Sequence, residues 1–141
     1  MLINLVGYFF VYSLLGWVLE TIWRSVEDRR FVPSGAFGFP LCEIYGIGAL
    51  GILGVLFLWP ELAQAFWVFQ WLFFSALLGF YEYLSGIFCL GVFGRRFWDY
   101  TNLRWDFGGH TSLFHMAVWG VLAVLFIHFI HPSVRFLVEG A

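Results

Sequence analysis

The chain has 141 residues, 62% of them hydrophobic and 23% aromatic, and only 11% are charged, against about 25% in an ordinary soluble domain. So few charges cannot cover a water-soluble globule, whereas a bilayer accepts apolar surface without penalty. Composition therefore points to a membrane protein. Seven Arg against nine acids leave a net charge of −2, which excludes nucleic-acid binding through a basic face, and the apolar content excludes disorder.

At about 20 apolar residues per helix, the length holds four spans and little else, a single transmembrane domain over residues 1–141. The first charge-free run covers residues 1–19 and extends as helix to about Ser25. No basic residue precedes Arg24 and no small-residue cleavage site follows, so the run reads as a retained helix rather than a signal peptide. Residues 44–59 form the second run, closed by Trp59-Pro60. The third covers 62–94, interrupted only by Glu82. The fourth covers 111–134 and is expected to end at Pro132. The runs are continuous rather than alternating, which speaks against a β-barrel.

Arg sets the orientation. Arg24, Arg29 and Arg30 follow the first span and Arg95, Arg96 and Arg104 follow the third, whereas the second connection carries only Glu61. Both long loops are thus expected in the cytoplasm and both termini outside. Glu20, Glu27, Asp28, Glu43, Glu82, Asp99 and Asp106 lie on or near the same side. A functional site is expected in that charged layer.

The chain also repeats itself. Ser13 and Glu20 match Ser75 and Glu82 at an offset of 62, Arg29-Arg30-Phe31 matches Arg95-Arg96-Phe97 at 66, and Tyr45-Gly46 matches Trp119-Gly120 at 74. The offset grows only in loops, where insertions are tolerated. The fold class expected is all-α: four transmembrane helices as two parallel-repeated helical hairpins, over about 8–58 and 70–131.

Gly16, Trp17 and Glu20, the Arg-Phe loop, Pro40 with Cys42, and Tyr45-Gly46 with Gly48-Ala49 resemble the first half of a bacterial membrane family described as putative ABC-transporter type IV, or CmpB-like. Glu82-Tyr83, Trp98-Asp99-Tyr100, Gly109 and Trp119-Gly120 resemble its second half. The sequence departs from the family pattern at Glu43, Asp106 and His110. The resemblance implies a multi-pass, permease-like protein.

An ionisable residue inside a span costs about 2.5–3.5 kcal/mol, which makes Glu20 and Glu82 functional candidates. Ser13, Gly16, Glu20 and Arg24 share one helix stripe, and Ser75, Gly79, Glu82 and Gly86 share another. Small neighbours let helices approach, so both acids are expected to face the bundle. Two readings stand: structural pairing, with Glu20 four residues before Arg24 and Glu82 reaching a loop Arg, or a ligand or proton site. Glu43, Tyr45, His110 and His115 join the acids as ligand or proton candidates. Arg29, Arg30, Arg95, Arg96, Asp99 and Asp106 are expected at a cytoplasmic mouth.

The glycine-rich segments 33–38 and 106–112 precede membrane helices, where turn formation and capping by Ser34, Thr111 or Ser112 competes with anion binding at exposed N–H groups. His128 and His131 are close enough in sequence to share a metal, but the composition around them offers no ligand set, and no metal, cofactor or catalytic residue is expected. Cys42 and Cys89 form no C-x-x-C pair. The function expected is a permease-like component for a small solute or ion. With no ATP-binding loop and little room for a path in one copy, it would act as a homo-oligomer or with a partner membrane or ATPase subunit. The alternatives are a membrane scaffold and, third, an interfacial enzyme acting on lipid phosphates through His110, Asp99 or Asp106.

Overall fold

A computed structural model describes residues 2–35 and 40–140. Residues 36–38 of the first glycine-rich segment fall outside the described residues. The elements in chain order are α1 (Leu2–Asp28), α2 (Glu43–Leu58), a 3-10 turn (Pro60–Gln64), α3 (Trp67–Phe93), β1 (Asp106–Phe107), β2 (Thr111–Ser112), α4 (Leu113–Leu125), a π-helical turn (Phe126–Ile130) and α5 (His131–Glu139). Among the described residues three stretches of 27 residues, Leu2–Asp28, Trp67–Phe93 and Leu113–Glu139, are long and apolar enough to cross a membrane; α2 is apolar but has 16 residues.

The chain divides into two compact units, residues 1–58 with 133–141 and residues 59–132. In the first, α1 runs three residues past its expected end, through Asp28. It stops with Arg29 in the left-handed region at φ 51°. Arg29 N–H donates to Val26 O at 3.4 Å and Arg30 N–H to Ser25 O at 3.2 Å, the two bonds of a Schellman cap whose αL position usually holds Gly. α2 packs on α1 through small residues: a methyl on Gly46 would strike Ser13 Oγ and the Phe9 carbonyl, and one on Gly16 would strike Tyr45. Near the other end of α1, Tyr8 Oη donates to Glu139 Oε1 at 2.7 Å.

In the second unit, the third apolar run does not become helix at residue 62 as expected. Pro60 opens a 3-10 turn through Gln64, and Gln70, fully buried, donates Nε2 to the carbonyls of Leu62 at 2.9 Å and Ala63 at 3.0 Å. Those carbonyls are satisfied by a side chain and the α-helix begins only at Trp67. It ends at Gly94, in the left-handed region at φ 69°. α3 packs on α4 as α1 does on α2. A methyl on Gly120 would strike Ser75 Oγ and the Trp71 carbonyl, one on Gly79 would strike Met116, and Trp71 Nε1 donates to Ala117 O at 3.0 Å.

Two further expectations are corrected. Residues 111–112 are not helix but the strand β2, paired antiparallel with β1 as Asp106↔Ser112 and Phe107↔Thr111, so the otherwise helical chain carries a small hairpin. Pro132 does not end the last helix. His131 N–H reaches back five residues to Phe126 O, the wide turn of a π-helix, and Pro132 falls in the first turn of α5, where its missing N–H is not needed.

Candidate functional site

In each unit a membrane-length helix carries an acid that accepts from a tyrosine of another element. In the first unit, Glu20 on α1 accepts from Tyr45 Oη on α2 at 2.7 Å. Arg24 is exposed, and among the described residues it makes no ion pair with Glu20, so the expected i,i+4 pairing gives way to a bond between helices. The bond is possible because Gly16, one turn earlier, lets Tyr45 lie against α1. Below it, Trp17 Nε1 donates to Ser34 O at 2.7 Å, Ser34 N–H donates to Thr21 Oγ1 at 3.0 Å, and Ser34 Oγ lies 3.4 Å from Cys42 Sγ. Burial pushes the Cys42 thiol above its usual range; the Ser34 hydrogen bond opposes this, while the charges of Glu20 and Glu43 reinforce it. Glu43 opens α2, where its charge favours the helix N-terminus.

The second unit builds a larger cluster. Glu82 is 3% exposed. Its Oε1 accepts from Tyr100 Oη at 3.1 Å and its Oε2 from Thr111 Oγ1 at 2.8 Å, so the partners reach it from the loop and from β2. The Tyr100 ring lies flat on His115, centroids 3.7 Å apart and planes 11° apart. His115 Nδ1 is 2.9 Å from Ser112 Oγ, which also caps α4 by accepting from His115 N–H at 3.2 Å. His110 is buried over Gly86 and edge-on to Tyr83 at 5.7 Å. Its carbonyl accepts from Trp98 Nε1 at 2.7 Å.

Three of the six residues expected at a charged mouth, Arg96, Asp99 and Asp106, hold the loop itself. Arg96 Nη1 donates to Gly108 O at 2.8 Å and lies 3.9 Å from Asp99 Oδ1. Asp99 accepts from Thr101 N–H at 3.0 Å and Asp106 from Gly109 N–H at 2.8 Å. The Thr101 amide, then its hydroxyl, and after them the Arg96 charge hold the Asp99 carboxyl below its usual range. Arg95 covers the Phe97 ring at 4.5 Å. Arg29 and Arg30 are exposed after α1.

Against known proteins, the family described as Putative ABC-transporter type IV matches residues 7–140. The chain belongs to this family. No curated protein and no solved structure matches it. The family's description points to a transporter-type component, and the three long apolar helices among the described residues fit a membrane protein.

Of the candidates on this family member, Glu20 and Tyr45 meet directly, and Glu82 and His115 are joined through Tyr100. His110 flanks that second cluster. Asp99, Asp106 and His110 make no hydrogen bonds to one another among the described residues, and both carboxylates are spent on backbone N–H groups. His128 donates Nε2 to Gln70 Oε1 at 2.8 Å, since the Gln70 amide nitrogen already faces two carbonyls, while His131 stacks on Phe126. Sequence reasoning missed Tyr100 and Thr111 as partners of Glu82. The signal for Tyr100 was its place in the Trp98-Asp99-Tyr100 run; Thr111 gave none beyond its capping chemistry.

Proposed function

We propose that this protein is a permease-like component handling a small solute or ion, with Glu20 and Glu82 as its interior acids and Arg29, Arg30, Arg95 and Arg96 at a cytoplasmic mouth. Glu82 is the observation that carries the reading: a carboxylate 3% exposed on a helix of membrane-crossing length, held by two hydroxyls and beside a histidine-stacked phenol. Buried acids on such helices are costly and mark solute or proton paths. The architecture proposed is two parallel hairpin repeats, residues 8–58 and 70–131, with termini outside and long loops in the cytoplasm. In support, Gly46 abuts Ser13 and Phe9, and Gly120 abuts Ser75 and Trp71, which are matching positions at offsets of 74 and 62. α2, about 24 Å long at 1.5 Å per residue, crosses if the bilayer thins locally around it. A homo-oligomer or a partner membrane or ATPase subunit completes the path, and the function is not enzymatic.

The test is flux in vesicles containing the full chain, with protons, potassium, phosphate and glycine as probes. At least one probe should cross faster than in protein-free vesicles and slow in the Glu20→Gln/Glu82→Gln variant. Equal flux with and without protein, or unchanged flux in a folded variant, refutes the reading.

A scaffold that only binds partners is the second reading, favoured by the engagement of Arg96, Asp99 and Asp106 in holding their own loop. It requires that removing both acids lower the melting temperature while no probe moves.

A further inference from the structure

Glu82 ties α3 to the segment 95–112 by two bonds, one to Tyr100 and one to Thr111. One turn further along α3, Gly86 receives His110 from the same segment. The segment thus docks on α3 through a carboxylate and a glycine. An ionised carboxylate only accepts, and it accepts from both hydroxyls in charge-assisted bonds about twice as strong as neutral ones. When a proton adds to one oxygen, that oxygen becomes an O–H donor. The hydroxyl bonded to it then faces a weaker acceptor or turns to accept the new O–H, and the other bond falls to neutral strength.

Titratable and charged groups of α3, α4, β1 and the loop surround this site. His115 of α4 stacks on the Tyr100 ring, so it and Glu82 touch one phenol. Tyr83 of α3 and His110 of the hairpin loop meet edge-on. Arg96 and Asp99 of the loop and Asp106 of β1 hold the loop's shape.

We propose that Glu82 is a proton-binding site whose occupancy sets how firmly residues 95–112 dock on α3. The inference rests on the reading of Glu82 as an interior functional acid, and it names the ligand as the proton and the responding part as the loop. The step is a simple addition: one proton from the aqueous phase joins one carboxylate oxygen, and no other covalent bond changes.

The experiment uses the full chain in lipid nanodiscs, titrated between about pH 4 and pH 9 with two readouts, infrared absorption of protonated carboxyl groups and amide hydrogen exchange. A carboxyl band should grow as pH falls and be absent in Glu82→Gln. Tyr100→Phe, which deletes a donor to the ionised form, should raise its midpoint by about one pH unit. Thr111→Val should act in the same direction and serves if the Tyr100 variant does not fold. The amides of Tyr100 and His110, bonded to Gly109 O and Phe107 O, should exchange faster in step with the band, after correction for intrinsic rates. In Glu82→Gln their protection should be low and independent of pH. No Glu82-dependent band, a midpoint unmoved by either variant, or loop protection that ignores the band overturns the proposal. The two claims fail separately. Flux lost in Glu82→Gln without this titration removes the proton site and keeps the permease, whereas titration without flux of any probe does the reverse.

Discussion

Gly86 and His110 meet so closely that a methyl on the glycine would lie 2.5 Å from the imidazole Nδ1. The hairpin loop is seated on α3 by this absence of a side chain as much as by the Glu82 hydrogen bonds. Gly86→Ala should therefore destabilise by about 1–3 kcal/mol, the usual cost of overpacking. Gly91 on the same helix has nothing within 4 Å, and Gly91→Ala should gain about 1 kcal/mol of helix propensity. Thermal melts of the two variants should move in opposite directions.

Ser13 and Ser75 have buried hydroxyl oxygens with no hydrogen-bond partner among the described residues. Each instead lies against a glycine of the neighbouring helix, Gly46 or Gly120. A buried hydroxyl left unpaired costs about 1–3 kcal/mol, so Ser13→Ala and Ser75→Ala should each raise the melting temperature. A fall in both variants would mean that the hydroxyls find partners and would count against this packing.

How much of this was legible in the sequence depends on the range of the interaction. Charge-free runs located α1 to α4 because a span must be apolar along its whole length. The stripe Ser75-Gly79-Glu82-Gly86 falls on a packed face because helical periodicity is local, with Gly79, Glu82 and Gly86 buried, whereas the stripe Ser13-Gly16-Glu20-Arg24 is buried at Ser13 and Gly16 and exposed at Arg24. The ends were read less well. Pro132 looked like a terminator because nothing in the sequence announces a π-turn, and Leu62 looked helical because the Gln70 amide that takes its carbonyl is eight residues away. The hydrogen bonds made by Glu20 and Glu82 are not legible in the spacing. Tyr45 is 25 residues from Glu20, and Tyr100 and Thr111 are 18 and 29 from Glu82. Partner choice at such separations follows from how the helices dock, which spacing along the chain does not encode.

Arg29 sits at φ 51° in a cap built for glycine. An L side chain there costs about 1–2 kcal/mol. Arg29→Gly should stabilise the end of α1 by up to that amount, measured as slower hydrogen exchange at the Arg30 and position-29 amides. If the Arg29 charge serves the mouth, probe flux in the same variant should fall while stability rises. Arg29→Lys, which keeps both charge and strain, should leave flux near the original level.

Asp99 supplies a pH dependence with a defined sign. Its carboxyl is held below the ordinary value of 3.8 by the Thr101 amide first and then by the Thr101 hydroxyl. A depressed folded value means that the unfolded chain takes up the proton first as pH falls. The loop's contribution is therefore whole above the ordinary Asp range and is lost as pH drops from about 4 through the lower folded value. Protection of the Thr101 amide should follow that course, and Asp99→Asn should flatten it.

The most direct measurement is the side of the membrane on which each charged connection lies, because the proposed layer exists only if α2 crosses the bilayer. In a background with Cys42→Ser and Cys89→Ser, single cysteines in place of Arg29, Glu61 and Arg95 can be labelled with a membrane-impermeant maleimide from either side of oriented cells. Labelling of the Arg29 and Arg95 positions only from the cytoplasmic side, with the Glu61 position labelled only from outside, is the predicted result. Labelling of the Glu61 and Arg95 positions from the same side would contradict it.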